Sequence, residues 1–330
     1  MSAIVITGAR GYVGTALVRR LASEGRRLRL VSRAASAPAD GSAMLEHVQA
    51  DLRDETSWAA LLQDAVAVVH LSSRTDLRAA EADSAGDDAL NVAPVRALVR
   101  AAERRGGALP VVFASTVTIV GAMHANPVDE QMPDNPCSVY DRHKRDCETI
   151  LRDATHRGVL RACSLRLSNV YGAGTTSINA NRGLLNSIMR RAGQGEDLTV
   201  YGDGACIRDF TFLGDVVDAF FRALEQEHTR DGAHYVIASG RGHTLLDAFE
   251  MVAQAAFLRT GRRVAIRHVP EPADLHAIER RDFVGDARLF QTLTGWQPQV
   301  DLASGIRDYY ETMNDAAPGA QSGRVPNAAA

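Results

Sequence analysis

Thr7-Gly8-Ala9-Arg10-Gly11-Tyr12-Val13-Gly14 joins an apolar run, residues 4–7, to a segment whose apolar residues Val13, Leu17, Val18 and Leu21 recur at helical spacing. A strand that turns through glycines directly into a helix brings backbone close to a phosphate. Gly8 permits the tight turn, Gly11 lets a pyrophosphate approach, and Gly14 lets helix and strand pack closely. The unpaired N–H groups at the helix start would receive the phosphate charge, with Arg10, Tyr12 and Val13 beside it. Glycine spacing alone is a weak signal, and a purely structural turn competes with it. The position between strand and helix is what favours a dinucleotide site.

Outward from this turn, short apolar runs alternate with helical patterns. Residues 28–32, 66–71, 111–114 and 162–167 read as strands, and 90–105 and 139–156 as helices. Apolar strands without polar alternation belong to a parallel sheet covered on both faces, and strands separated by helices make βαβ units. The expected fold class is α/β, a Rossmann-type doubly wound parallel sheet with a smaller C-terminal substrate-binding part. Residues 1–172, completed by segments from about 208–240, form the dinucleotide-binding domain. Residues 173–315 form mainly the substrate part, and 316–330, rich in Ala, Gly, Pro and Ser, read as a disordered tail.

Composition narrows the function by exclusion. The chain has 330 residues, 37 Lys+Arg and 40 Asp+Glu, a net charge of −3. That balance argues against a protein that tracks nucleic-acid phosphates. No apolar run is long enough to span a membrane, and the start at Met1 leads straight into a strand without a basic leader. Four dispersed cysteines show neither metal-site spacing nor a disulfide scaffold, so no metal is expected and a cytoplasmic setting is the default.

At the end of the second strand, where a carboxylate would bind an adenosine ribose 2′-hydroxyl, the chain reads Val31-Ser32-Arg33-Ala34. A guanidinium there suits a 2′-phosphate, and Arg10 would reach the same group, so the expected cofactor is NADP(H). The competing reading is two solvated arginines in a chain that uses arginine almost everywhere. Asp51-Leu52 are placed to hold the adenine edge, although Asp51 would equally serve as a helix cap.

Lys144 is the one lysine among the 37 basic residues. It stands four residues after Tyr140, so the two share one face of the helix read over 139–156. A phenol is a poor acid–base at neutral pH, and a neighbouring ammonium together with a positive nicotinamide ring favours the phenolate. Tyr140 would then exchange a proton with a substrate oxygen, and Lys144 would also bind the nicotinamide ribose. Thr116 or Ser115 would offer a hydroxyl to the same oxygen. His143 falls on a different helical face and is not assigned as the base. His70 reads as a structural or cofactor-wall residue.

Together these residues resemble the extended short-chain dehydrogenase/reductase family, in its nucleotide-sugar epimerase, dehydratase and ketoreductase branch. The resemblance runs to about Met313. It adds His70-Leu71-Ser72-Ser73, Asn91, Ser115-Thr116 before Val120-Gly121, Arg166 through Gly172, Tyr201 through Asp215-Val216-Val217, and Gly295-Trp296-Gln297-Pro298. It implies catalytic roles for Thr116, Tyr140 and Lys144. It puts Leu71, Ser72 and Ser73 on the cofactor and has Asn91 support the lysine through water. Ser115, Thr116, Asn169 and Arg208 would touch the substrate, Arg208 with a fork suited to a diphosphate. It also implies a homodimer formed through helices 90–105 and 139–156.

Thr116-Val117-Thr118 lacks the acid and base of a dehydratase. With Arg10 and Arg33 read as NADP ligands, the closest match is to dTDP-4-keto-6-deoxyhexose 4-ketoreductases, using NADPH to reduce a dTDP-linked keto sugar. The alternatives are an NAD-dependent nucleotide-sugar 4-epimerase and, in another class, a non-catalytic dinucleotide-binding regulatory protein. One departure stands out. Pro272-Ala273-Asp274 occupies the place of a diphosphate-binding arginine, with Arg280 or Arg281 as the compensating candidates.

Overall fold

The computed structural model describes residues 2–33, 44–122, 127–174, 183–273, 275 and 277–315. The expected tail at 316–330, most of the loop before Gly183, and Asp274 lie outside the described residues.

The strands are β1 (Ala3–Thr7), β2 (Leu28–Ser32), β3 (Leu45–Gln49), β4 (Ala65–His70), β5 (Leu109–Thr116), β6 (Leu160–Leu167), β7 (Asn169–Tyr171), β8 (Leu198–Tyr201), β9 (Ile207–Phe212), β10 (His234–Ile237), β11 (Gly242–Thr244) and β12 (Ile266–Val269). The helices are α1 (Tyr12–Ser23), α2 (Glu55–Leu61), α3 (Leu77–Ala82), α4 (Ser84–Asn91), α5 (Ala93–Arg105), α6 (Val139–His156), α7 (Leu184–Gly193), α8 (Leu213–Glu225), α9 (Leu245–Thr260), α10 (Arg288–Thr294) and α11 (Leu302–Asp315).

Seven strands form one sheet in the order β10-β6-β5-β4-β1-β2-β3. Every pairing in it is parallel. The order reverses between β1 and β4, the crevice where open α/β sheets bind ligands. One face is covered by α1 and α8, which bury Leu17, Leu21, Val216 and Phe220 against Ile4, Ile6 and Val69. The other is covered by α2, α5 and α6, through Trp58, Leu98 and Leu151 against Val68, Val111 and Phe113. A smaller unit collects α7, α9, α11 and the sheet β11-β9-β7, its core holding Met189, Phe249 and Ile306.

The helix expected over 90–105 is divided. α4 ends at Asn91, and α5 begins at Ala93 with Pro94 in its first turn. Proline has no N–H to continue the α4 ladder and sits well only at a helix start. The break leaves Asn91 at the end of α4, where it bonds Ser73.

Candidate active site

The glycine turn is built as its sequence requires. Gly8 has φ +66°, and a Cβ there would lie 2.8 Å from the backbone of Leu71 and Ser72. A Cβ on Gly14 would lie 2.2 Å from the Gly8 carbonyl oxygen. Thr7 Oγ1 ties this turn to the end of β4, accepting from the N–H groups of Leu71 and Ser72 at 3.2 Å and bonding His70 Nδ1 at 2.9 Å. α1 starts with no side-chain cap and no acid in its first turn, so its N–H groups remain available to an anion. Tyr12 contributes backbone to the rim, while its side chain is buried and donates to the Gly172 carbonyl at 2.7 Å.

A cleft of about 460 Å³ runs from this turn to the first turns of α6. Gly8, Arg10, Gly11, Tyr12, Val13, Gly14, Ser32, Arg33, Leu52, Leu71, Ser72, Ser73, Ser115, Tyr140 and Lys144 all line it. A second hollow of about 650 Å³ shares Arg33, Leu52, Ser72 and Ser73 and adds Asp51. The size, the glycine cradle and the acid-free helix start fit a dinucleotide. Asp51 is not the helix cap. That role belongs to Asp54, which accepts from the N–H groups of Thr56 and Ser57. Asp51 is bonded by Arg53 and held down at about 2, first by those bonds and also by the charge of Arg33.

Tyr140 and Lys144 project from the first turns of α6, which Ser138 caps by accepting from Asp141 N at 3.0 Å. Lys144 is buried. It donates to the Ala114 carbonyl at 2.7 Å and stands 4.6 Å over the Phe113 ring and 5.8 Å from the Tyr140 ring centre. Burial pulls its ammonium down to about 8, against an upward pull from Cys147, Glu148 and Asp87. Nearby His70 is fully buried, and burial, with help from Lys144, lowers it to about 3, so its ring is neutral.

Two buried networks hold this centre. Ser115 Oγ donates to Glu148 Oε1 at 2.5 Å, and Glu148 is gripped by Arg166, which also pairs with Asp134. Ser115 therefore reaches the cleft with its hydroxyl hydrogen directed away from it. On the other side, Asp87 is fully buried and accepts from Asn91 at 2.9 Å and from Arg74 at 2.8 Å, and contacts His143 Nδ1 at 2.7 Å. Asn91 stands at the end of α4. It bonds Ser73, the backbone of Arg74 and Asp87, bracing the loop that lines the cleft. Thr116, buried at the end of β5, bonds the Thr118 hydroxyl at 2.8 Å, and Thr118 in turn bonds Asp141.

Of the expected substrate residues, Asn169 donates to the Asp209 carbonyl at 2.9 Å. Arg208 is buried and bonds the backbone carbonyls of Ile207, Glu279 and Arg281. Arg281 lies buried beside it, bonded to the Ile278 carbonyl, and burial together with the Arg208 charge lowers it to about 10. Arg280 is exposed and paired with Glu271. Of the two compensating candidates, the geometry brings Arg281 to Arg208. Asp87, Asp141 and Glu148 escape a reading from spacing, because carboxylates are common and carry no motif here.

Residues 4–238 match the model of the NAD dependent epimerase/dehydratase family. The chain belongs to that family. It is 28% identical over 309 residues to a UDP-glucose 4-epimerase of Mycolicibacterium smegmatis, covering 92% of this chain and 95% of that protein. It is 26% identical to a dTDP-L-rhamnose 4-epimerase of Burkholderia thailandensis, covering 92% of each. Among solved structures, a UDP-glucose 4-epimerase from Stenotrophomonas maltophila with bound NAD and formylated UDP-arabinopyranose superposes with a TM-score of 0.82 at 27% identity, covering 96% of this chain and all of that one.

These findings correct the expectation of an NADPH-dependent ketoreductase and of NADP(H) as cofactor. The family is NAD dependent, and the relatives are 4-epimerases. The physical reason lies in the arginines. Arg10 and Arg33 are both exposed, and the charge of Arg33 acts on Asp51 across the hollow. In a chain with a single lysine, an arginine at the end of β2 carries little information about a 2′-phosphate.

Proposed function

We propose that this protein is an NAD-dependent nucleotide-sugar 4-epimerase whose substrate is a UDP-linked sugar. The position of Lys144, buried, donating to Ala114 and beside Tyr140 in the same cleft as the glycine turn, supports the proton and hydride chemistry. The likeness to 4-epimerases over nearly the whole chain is the observation that favours epimerisation over reduction. When bound, NAD supplies a reversible two-electron acceptor for the hydrogen on sugar C4. Tyr140 takes the proton of the C4 hydroxyl and later returns it, and Lys144 stabilises the phenolate between these events. Thr116 holds the C4 oxygen. Gly8, Gly11 and Gly14 make room for the pyrophosphate of the cofactor, with Ser32, Asp51, Leu52, Leu71, Ser72 and Ser73 around it.

Arg208 and Arg281 form the anion seat. Two buried guanidiniums lie side by side, bonded to backbone carbonyls rather than carboxylates; Glu279 and Asp141 offset part of their repulsion, and a bound anion would offset more. A diphosphate supplies that charge with geometry suited to the guanidinium fork. The relatives named above support UDP over dTDP as the nucleotide, with one dTDP-sugar epimerase among them.

The homodimer through α5 and α6 belongs to the same proposal. The outer faces of these helices expose Arg96, Arg100, Arg142, Arg152 and Asp153, with Arg96 paired to Asp88 of α4. Self-association there is charge-based and weakens with salt.

The test is the cofactor carried by the purified protein. Acid release followed by chromatography is expected to yield NAD. Recovery of NADP, or a preference for added NADPH over NAD, overturns the reading.

A further inference from the structure

We propose that Asp141 is a positioning residue that works as a neutral acid, setting through Thr118 the direction in which the Thr116 hydroxyl faces the substrate. The observation is an unbroken line of side chains from a buried carboxyl to Thr116, the residue after cleft-lining Ser115: Asp141 Oδ1, Thr118 Oγ1 and Thr116 Oγ1, the last two 2.8 Å apart. Asp141 is fully buried, and its Oδ2 has no hydrogen-bond partner among the described residues.

Each threonine hydroxyl has one hydrogen to give. Thr116 Oγ1 already accepts from the backbone N–H of Thr118 at 3.3 Å. Suppose Asp141 is ionised. Thr118 then spends its hydrogen on the carboxylate, the Thr116 hydrogen turns back to Thr118, and only a lone pair of Thr116 faces the cleft. A lone pair repels a ketone oxygen. Now suppose Asp141 is protonated. It donates to Thr118, Thr118 donates to Thr116, and the Thr116 hydrogen is left for the sugar C4 oxygen. That donor suits both the alcohol and the ketone that a 4-epimerase must hold in turn.

The surroundings favour the neutral acid. Burial raises the Asp141 carboxyl above its ordinary value. The Thr118 and Ser138 hydroxyls and the charge of Arg281, reaching it from the segment after β12, pull the other way without cancelling the burial. Placing a carboxylic acid in a water-poor site so that it donates a hydrogen bond is an established physical device.

The kinetic arm of the test rests on the epimerase reading, and the spectroscopic arm does not. The full-length protein is labelled with carbon-13 at aspartate carboxyls. The Asp141 resonance, identified by its loss in Asp141→Asn, is expected to show the shift of a neutral acid under assay conditions. The shift of a carboxylate overturns the proposal. In the kinetic arm, Asp141→Leu and Thr118→Val each lower kcat by roughly tenfold or more with KM and bound NAD little changed. Asp141→Asn, whose amide N–H still donates to Thr118, restores most of that loss. An Asn variant as impaired as the Leu variant overturns the proposal. Thr118→Val keeps the arm decisive should Asp141→Leu fold poorly. If the unaltered protein inverts no nucleotide sugar at C4, the epimerase reading falls, and the carboxyl shift alone decides the relay.

Discussion

Lys144 does work that arginine cannot share. Its compact ammonium fits between the Ala114 carbonyl and the Phe113 and Tyr140 rings, whereas a guanidinium is wider and planar. Lys144→Arg is therefore expected to lower kcat by about two orders of magnitude despite the retained charge, as measured on the NAD-loaded variant. The same burial sets a pH dependence. The ammonium is present below about 8 and lost above it, so kcat falls as pH rises through that value, in a profile taken with substrate saturating. Stability moves the other way. The unfolded chain keeps this proton up to the ordinary value of 10.5, so raising pH from about 8 towards 10.5 relieves the cost of burying the charge. At this scale Lys144 was legible because it is unique. Arg33 misled because arginine is everywhere, and Asp141 was silent because no spacing marks a buried acid among 40 acidic residues.

Helix α6 gathers the site through its period. Tyr140, Lys144 and Glu148 recur at four-residue intervals on the side facing β5, and Arg166 on β6 meets Glu148 from the neighbouring strand. This ion pair is buried, and Arg166 is only 1% exposed. Arg166→Met leaves Glu148 buried and unpaired, with an expected loss of about 3–5 kcal/mol in urea unfolding. Adding Glu148→Gln removes the stranded charge and recovers part of the loss, which a double-mutant cycle reads directly. Gly14→Ala tests the other end of the cleft. Its methyl would meet the Gly8 carbonyl, so NAD is expected to be absent from the purified variant. The strands and helices flanking these residues were readable from apolar runs. The division of α4 from α5 at Pro94 was not read, because apolar residues continue at helical spacing across it. β3, expected only as a third strand ahead of Asp51, was left without bounds for the opposite reason, being a half-buried edge strand with the mixed sequence Leu45-Glu46-His47-Val48-Gln49.

The glycine cleft lies where the parallel sheet reverses order, with Val170 and Gly183 from the side of the smaller unit on its lining. The doubly wound class followed from apolar strands alternating with helices outward from the glycine turn, since few chain paths satisfy that pattern. The reaction did not follow, because a reductase and an epimerase need the same tyrosine, lysine and threonine and differ in what becomes of the hydrogen on C4. No helix among the described residues is long and apolar enough to cross a membrane. The central claim is that one site removes that hydrogen and returns it to the same carbon. The direct measurement supplies the purified protein, without added cofactor, with UDP-glucose deuterated at C4. The account predicts UDP-galactose with the deuterium retained at C4. Product that appears only when NADPH is added, or deuterium lost to solvent, would contradict it.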